Sequence, residues 1–131
     1  MRVAKVEDDE QLAAEWHEMM GRFRRLVCNL DRELENKHGI SASDFEVLQL
    51  LSEAPAGKLK IHELGEHAHL TQSALSRLVA RLESMGMVER CMCEDDRRSV
   101  FATITAAGRK RYSQARPTQR AILRAEAAQS L

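Results

Sequence analysis

The strongest constraint in this chain is a long apolar stripe near its N-terminus. The apolar positions recur at steps of three and four, the period of one helix face; they are Leu12, Trp16, Met19, Met20, Phe23, Leu26, Val27, Leu30 and Leu34. The pattern predicts one helix from about Asp8 to Lys37, ended by Gly39, a residue suited to a left-handed cap. Such a helix is about 45 Å long. That exceeds what a chain of 131 residues needs for its own core, so part of the stripe is expected to pack on another surface, such as a second copy of the chain.

The composition is that of a single globular domain. Hydrophobic residues make up 44% and charged residues 31% of the chain, which supports a folded core. No window holds eighteen consecutive apolar residues, so a transmembrane helix is excluded. The acidic N-terminus lacks the apolar core of a secretion signal. Three cysteines, an odd number, fit a reducing compartment. We therefore expect one cytoplasmic domain over residues 1–131.

Charge is balanced overall but uneven along the chain. The 20 basic and 20 acidic residues cancel. Residues 1–60 hold 9 basic and 12 acidic side chains, whereas residues 61–131 hold 11 and 8. The excess of basic residues in the second half suggests a basic face on a neutral body. An ordinary solvated surface is the alternative explanation.

A helix-turn-helix is predicted in the middle of the chain. Residues 61–68 have the apolar period of a short helix. About three residues later, Thr71 can cap a second helix that ends near Met85, before Gly86. Two short helices joined in this way are typical of a helix-turn-helix.

The segments around this helix pair predict the rest of a winged helix. Upstream, Ser43 and Glu46 have the spacing of a capping box, and residues 53–57 and 58–60 read as a turn and a short edge strand. Downstream, residues 88–93 and 99–105 read as two strands of a hairpin with a charged tip. A last helix runs from Arg109, where Pro117 is expected to bend or restart it.

The outward face of the second short helix is the first candidate DNA contact. Its small polar side chains let the helix approach base edges closely, and its long cationic side chains can bind guanine or phosphate. The candidate residues are Thr71, Gln72, Ser73, Ser76, Arg77 and Arg81. A solvent-facing stripe on a core helix is the alternative.

The hairpin tip is the second candidate DNA contact, because Arg97 and Arg98 suit a narrow minor groove. A polar turn explains the tip equally well in isolation.

Three segments of the chain together resemble the MarR-type winged-helix regulators. The segments are Leu70–Glu83, Gly86–Arg90 and Asp96–Gly108, the last resembling the family's wing pattern D-x-R followed by an L-T-x-x-G-like ending, with Ile104 in the leucine place. The stretch Ser41–Leu48 also looks like the family's second helix. The resemblance covers roughly residues 10–125.

The resemblance implies a mostly α-helical fold with a small β-wing and a homodimer. Residues 8–38 and 106–131 would form the dimerisation helices and residues 41–105 the DNA-binding lobe. Two recognition helices would enter adjacent major grooves of a pseudo-palindromic operator, with Arg98 in the minor groove. Most members repress genes and release DNA when a small molecule binds or a cysteine is oxidised. In typical members of the family a further helix follows the position of Leu131.

The release signal has two candidate origins. The resemblance implies an effector pocket between the dimer helices and the DNA-binding lobe, for a small aromatic or phenolic molecule; the candidates are Trp16, His17, Met20, Arg24 and His62. Core packing is the alternative role for Trp16 and Met20. The urate-responsive branch looks to use a tryptophan with an aspartate–arginine pair, which Asp44 and Arg77 could form.

Oxidation is the second candidate signal. Cys28 lies close to Arg24 and Arg25, which favour a thiolate, although a buried, inert cysteine is the alternative. Cys91 and Cys93 alternate on a strand and are expected near solvent, but neighbours on one strand do not easily bridge each other.

Enzymatic and metal functions have little support in the sequence. His62, Glu66 and His69 fall at steps of four and three, but the helix is expected to end by His69. His62 and Glu66 then have no third firm metal ligand, so we interpret them as surface residues. No phosphate loop, serine elbow or pair of buried carboxylates is found, so we expect no enzyme and no cofactor. A winged-helix protein-interaction module, or an antirepressor that does not bind DNA, is the alternative function. An acidic or apolar outward face on the second helix would favour that alternative.

Overall fold

The computed structural model describes residues 6–92 and 99–130. Within these ranges the helices are α1 (Val6–His38), α2 (Ala42–Glu53), α3 (Ile61–His67), α4 (Gln72–Ser84) and α5 (Ala106–Ser130), and the strands are β1 (Lys58–Lys60), β2 (Val88–Met92) and β3 (Val100–Ile104). A single 3₁₀ turn, Pro55–Gly57, occupies the predicted turn before β1. The element order confirms the predicted winged helix.

The long N-terminal helix is present and ends where the sequence predicts. Gly39 adopts a φ of 70° and its N–H donates to the Glu35 carbonyl over 3.0 Å. A left-handed φ is strained for residues with a side chain, so glycine at this position stops α1 cleanly. The chain then turns directly into α2.

The cap of α2 differs from the prediction. Ser41 and Asp44, rather than Ser43 and Glu46, form the capping box: the Ser41 hydroxyl accepts from the Asp44 N–H over 3.0 Å, and the Asp44 carboxylate accepts from the Ser41 N–H over 2.8 Å. The sequence holds two overlapping serine–acid pairs at this spacing, and α2 begins at Ala42, so Ser43 already lies inside its first turn.

The sheet has β3 at its centre, with β1 and β2 antiparallel on either side. Phe101 of β3 faces Lys60 of β1 and Cys91 of β2. β2 and β3 are the arms of the predicted wing, and its tip, residues 93–98, lies outside the described residues.

The core lies where the C-terminal half of α1 meets α2, α4 and the sheet. Its fully buried large side chains include Leu34, Phe45, Leu48, Leu51, Leu64, Leu75, Leu82 and Met87. α5 covers this core from outside, with Ala115 buried and the Tyr112 ring tilted by 37° against the Phe45 ring, 5.2 Å between their centres. The buried side of α4 is therefore packed against the core of the DNA-binding lobe.

The expectation of a restart at Pro117 is wrong, because α5 continues through that residue. Pro117 is exposed, whereas Ala115 and Gln119 on either side are buried. Packing of the neighbouring positions offsets the missing N–H of the proline.

Across the described ranges, none of the helices combines the length and the apolar character needed to span a bilayer.

Candidate nucleic-acid interface

α4 separates an apolar face from a polar one, and only the polar face reaches solvent. Thr71 caps the helix by accepting from the Ala74 N–H over 3.2 Å, as predicted. The buried face consists of Leu75, Leu78, Val79 and Leu82. Among the exposed side chains on the opposite side, Gln72, Ser73, Ser76 and Arg77 are here called the recognition face. The helix is thus held by its apolar side and presents hydrogen-bonding groups outward.

Gln72, at the first turn of α4, lies close against α3. A Cβ placed on Gly65 of α3 would stand only 2.5 Å from the Gln72 amide nitrogen. The glycine therefore leaves room for the side chain of Gln72 to lie over α3.

The structure assigns Arg81 a different environment from the rest of the predicted contact set. Its guanidinium forms an ion pair with Asp44 and lies 3.4 Å from the Ser41 hydroxyl. Asp44 is only 2% exposed, and it also caps α2 through the capping box. The sequence suggests that Asp44 could pair with Arg77; that suggestion is wrong, because Arg81 forms the ion pair with this carboxylate. The pair ties the C-terminal half of α4 to the start of α2.

Arg77 remains exposed at the edge of an open cavity of ≈ 510 Å³ between α4 and the start of α2. The same cavity is lined by Ser41, Ser43 and Arg81. Arg77 is one turn from Arg81 and points a second cation to the same side of the helix. Of the two arginines, Arg81 alone has a buried carboxylate partner among the residues that the structure describes.

The base of the wing is fixed to α4 by Arg90 of β2. Its Nη2 donates to the Ser76 carbonyl over 3.2 Å, and its Nε lies 3.4 Å from a Glu83 carboxylate oxygen. Arg97 and Arg98, the predicted minor-groove residues, fall outside the described residues. Sequence reasoning missed Arg90, although its place two residues after the apolar Val88 puts both side chains on the same face of β2.

The N-terminal half of α1 exposes large apolar side chains. Leu12, Trp16, Met19 and Phe23, here called the exposed stripe, are between 50% and 64% exposed. Further along the same helix, Leu30 and Leu34 are 7% and 0% exposed. Core packing of Trp16 within the chain, the alternative role, is wrong, because this half of α1 extends past the core.

The effector candidates do not converge within a single chain. Trp16, His17 and Arg24 are exposed and Met20 is half-buried, all on α1. His62 lies on α3, 3.2 Å from Glu66, and lines a cleft to which α1 contributes no residue.

The cysteine and metal candidates are also placed. Cys28 is exposed on α1, so the buried alternative is wrong, and Cys91 is exposed on β2 as expected. Cys93 lies outside the described residues. His62 and Glu66 contact each other, but the described part of the chain holds no cluster of three metal-ligating side chains.

Comparison with known proteins decides the family. The family model described as "MarR family" matches residues 40–100. A MarR family transcriptional regulator from Streptomyces coelicolor, Sco3205, solved in complex with DNA, is 31% identical with a TM-score of 0.86, covering 100% of this chain and 79% of that one. The chain belongs to the MarR family. The predicted mostly helical winged-helix fold is thereby confirmed.

Two further relatives agree with this assignment. AbsC, another MarR family transcriptional regulator from Streptomyces coelicolor, is 26% identical with a TM-score of 0.84, covering 100% of this chain and 85% of that one. The HTH-type transcriptional repressor Rv2887 of Mycobacterium tuberculosis is 35% identical over 83 residues. That match spans 63% of this chain and 58% of the repressor.

Proposed function

We propose that this MarR-family chain is a sequence-specific regulator that binds double-stranded DNA as a homodimer and represses transcription. The recognition face carries the proposal. Its serines and Gln72 can hydrogen-bond bases or phosphates, and Arg77 can fork onto a guanine or clamp a phosphate. An acidic or apolar face would have favoured a protein partner, and this face has neither character.

The proposed contacts fall into two groups. Gln72, Ser73, Ser76 and Arg77 meet the major groove, with Thr71 at the helix start. Arg97 and Arg98 of the wing tip meet the adjacent minor groove, where the negative potential is concentrated. Arg81, included among the contacts from the sequence, acts through Asp44 to hold α4 at a fixed angle to α2.

The exposed stripe supports the homodimer. Large apolar side chains exposed in a continuous patch mark an interaction surface, and the α5 helix runs beside α1 to supply the rest of it. Residues 8–38 and 106–131 form the dimer interface and residues 41–105 the DNA-binding lobe. Two copies then present their α4 helices about 34–36 Å apart, one turn of the duplex.

The signal that releases DNA has two proposed forms. A small aromatic or phenolic molecule would bind near Trp16, His17, Met20 and Arg24, with His62 contributed from the lobe across the interface. Alternatively, oxidation of Cys28, which is exposed on α1, would disturb the helix that joins the two copies.

Selection of DNA from a random library, followed by fluorescence anisotropy, tests the proposed function. We expect recovery of a pseudo-palindromic duplex, bound at least about a thousandfold more tightly than a scrambled one. Addition of phenolic acids or peroxide to the complex then separates the two release signals. Equal affinity for selected and scrambled duplexes would refute the proposal.

A further inference from the structure

We infer that the cleft between α4 and the base of the wing seats one sugar-phosphate strand of the DNA, with Lys60 as its phosphate contact. The inference rests on the proposed function and adds a residue to it, since Lys60 was not among the predicted contacts. We call this space the wing cleft; it has a volume of ≈ 350 Å³, and its polar lining consists of Lys60, His62, Ser76, Arg90 and Ser99.

The position of the wing cleft follows from the two elements that it separates. One wall carries Ser76, a member of the recognition face, and the other is the root of the hairpin at Ser99 and Val100. In B-DNA a sugar-phosphate strand separates the major groove from the adjacent minor groove. When α4 occupies the first groove and the wing the second, that strand must pass between them, which is where the cleft lies.

The charge of the cleft suits a phosphate. Among the residues that the structure describes, its lining includes Lys60, His62 and Arg90 and no acidic residue. Arg90 and His62 have carboxylate neighbours outside the lining, Glu83 at 3.4 Å and Glu66 at 3.2 Å. Within the described ranges, no carboxylate lies within ion-pair distance of the Lys60 ammonium. Lys60 therefore offers the cleft an uncompensated positive charge, and lysine is a common point-charge ligand of phosphate.

One side chain links the two walls of the cleft. Arg90 spans it by bonding to the Ser76 carbonyl on one wall while its own backbone belongs to β2 on the other. Arg90 is thus a positioning residue, because it holds the wing at a set distance from α4.

The salt dependence of binding tests the role of Lys60. Lys60→Gln removes one charge at an exposed residue whose side chain makes no helix-cap hydrogen bond. With the selected duplex as the probe, we expect the slope of log affinity against log salt to become shallower by about 0.9. Between about 50 and 200 mM salt, that change reduces the loss of affinity by a factor of about 3.5.

Lys58→Gln is the matched control. Lys58 lies two residues away on the same strand, outside the cleft lining, with its ammonium 5.2 Å from the centre of the Phe101 ring. We expect its slope to equal that of the unmodified protein. A set of duplexes with a neutral methylphosphonate at successive positions gives a second readout: one position should weaken the unmodified protein and leave Lys60→Gln unaffected.

The outcomes separate this inference from the proposed function. An unchanged slope for Lys60→Gln, with thermal unfolding and sequence preference retained, would overturn the inference and leave the function intact. Equal reductions for both lysine variants would also overturn it, because they would show a general basic surface. If the unmodified protein itself binds all duplexes with equal affinity, the proposed function is refuted.

Discussion

The N-terminal half of α1 and the recognition face of α4 are both exposed helix surfaces, but their chemistry is opposite. The exposed stripe on α1 consists of large apolar side chains, and Phe23 in it is 64% exposed. The recognition face on α4 consists of short polar side chains and one arginine. Burial of the first against an apolar partner releases water and contributes free energy in proportion to area. The second gains little from burial and instead offers directional hydrogen bonds.

This difference indicates two kinds of partner for one small chain. An apolar surface that is self-complementary suits a two-fold dimer, whereas a polar, cationic surface suits DNA. The two surfaces are connected by the lobe core, so dimer formation sets the distance between the two α4 helices. The comparison predicts that substitutions in the exposed stripe of α1 change the mass of the dimer, whereas substitutions on the recognition face of α4 change DNA affinity alone.

Breaking the exposed stripe should have the largest effect. Phe23→Glu places a charge in the interface twice, once from each copy, and we expect a loss of about 3–6 kcal/mol of dimer stability. Light scattering should show the mass of a monomer, and operator affinity should fall with it. Ala14→Glu, on the opposite side of α1, is the control and should stay dimeric. A dimeric Phe23→Glu protein would place the dimer contact elsewhere.

Removing Asp44, the ion-pair partner of Arg81 on α4, should have the next largest effect. Asp44→Ala removes both the capping box of α2 and the buried partner of Arg81, so we expect a loss of about 2–3 kcal/mol of unfolding free energy in urea. Glu46→Ala, the acid of the unused capping box, should cost less than about 1 kcal/mol. Equal losses for the two variants would contradict the observed cap.

A change on the recognition face should affect DNA alone. We expect Arg77→Ala to weaken specific binding by about 1–3 kcal/mol and to relax the preference at one base position, with urea unfolding unchanged. Anisotropy across single-base variants of the operator measures both effects. Arg81→Ala is the comparison variant, because it should lower unfolding stability as well. An unfolding loss for Arg77→Ala equal to that for Arg81→Ala would refute the distinction between the two arginines.

The smallest effect is expected away from both surfaces. Cys28 is exposed, and Cys28→Ser should change dimer stability and reduced-state DNA affinity by less than about 0.5 kcal/mol. Titration with peroxide then tests its redox role. Peroxide release of DNA that persists in Cys28→Ser would exclude Cys28 as the sensor.

Local signals predicted the elements well. Gly39, Thr71 and the apolar periods placed the ends of α1 and α4 within one or two residues, because caps and periodicity act over a single turn. The cap of α2 was misplaced because two serine–acid pairs overlap there and local spacing does not choose between them. At Pro117, packing of α5 on its neighbours overrides the local preference to break the helix.

The candidate site was only partly predictable. The period of α4 correctly places Gln72, Ser73, Ser76 and Arg77 on the exposed side. The same period places Arg81 beside them, and only the tertiary fold shows that Asp44, 37 residues away, holds it. Lys60 and Arg90 escaped prediction for the same reason: the wing cleft is built from segments distant in the sequence.

The most direct test of the recognition face is the affinity of the unmodified protein and of Arg77→Ala for the selected and scrambled duplexes at one salt concentration. The account predicts a preference of at least about a thousandfold for the selected duplex, reduced about 5- to 150-fold in the Arg77→Ala protein. An Arg77→Ala protein that keeps the full preference, or an unmodified protein that has none, would contradict it.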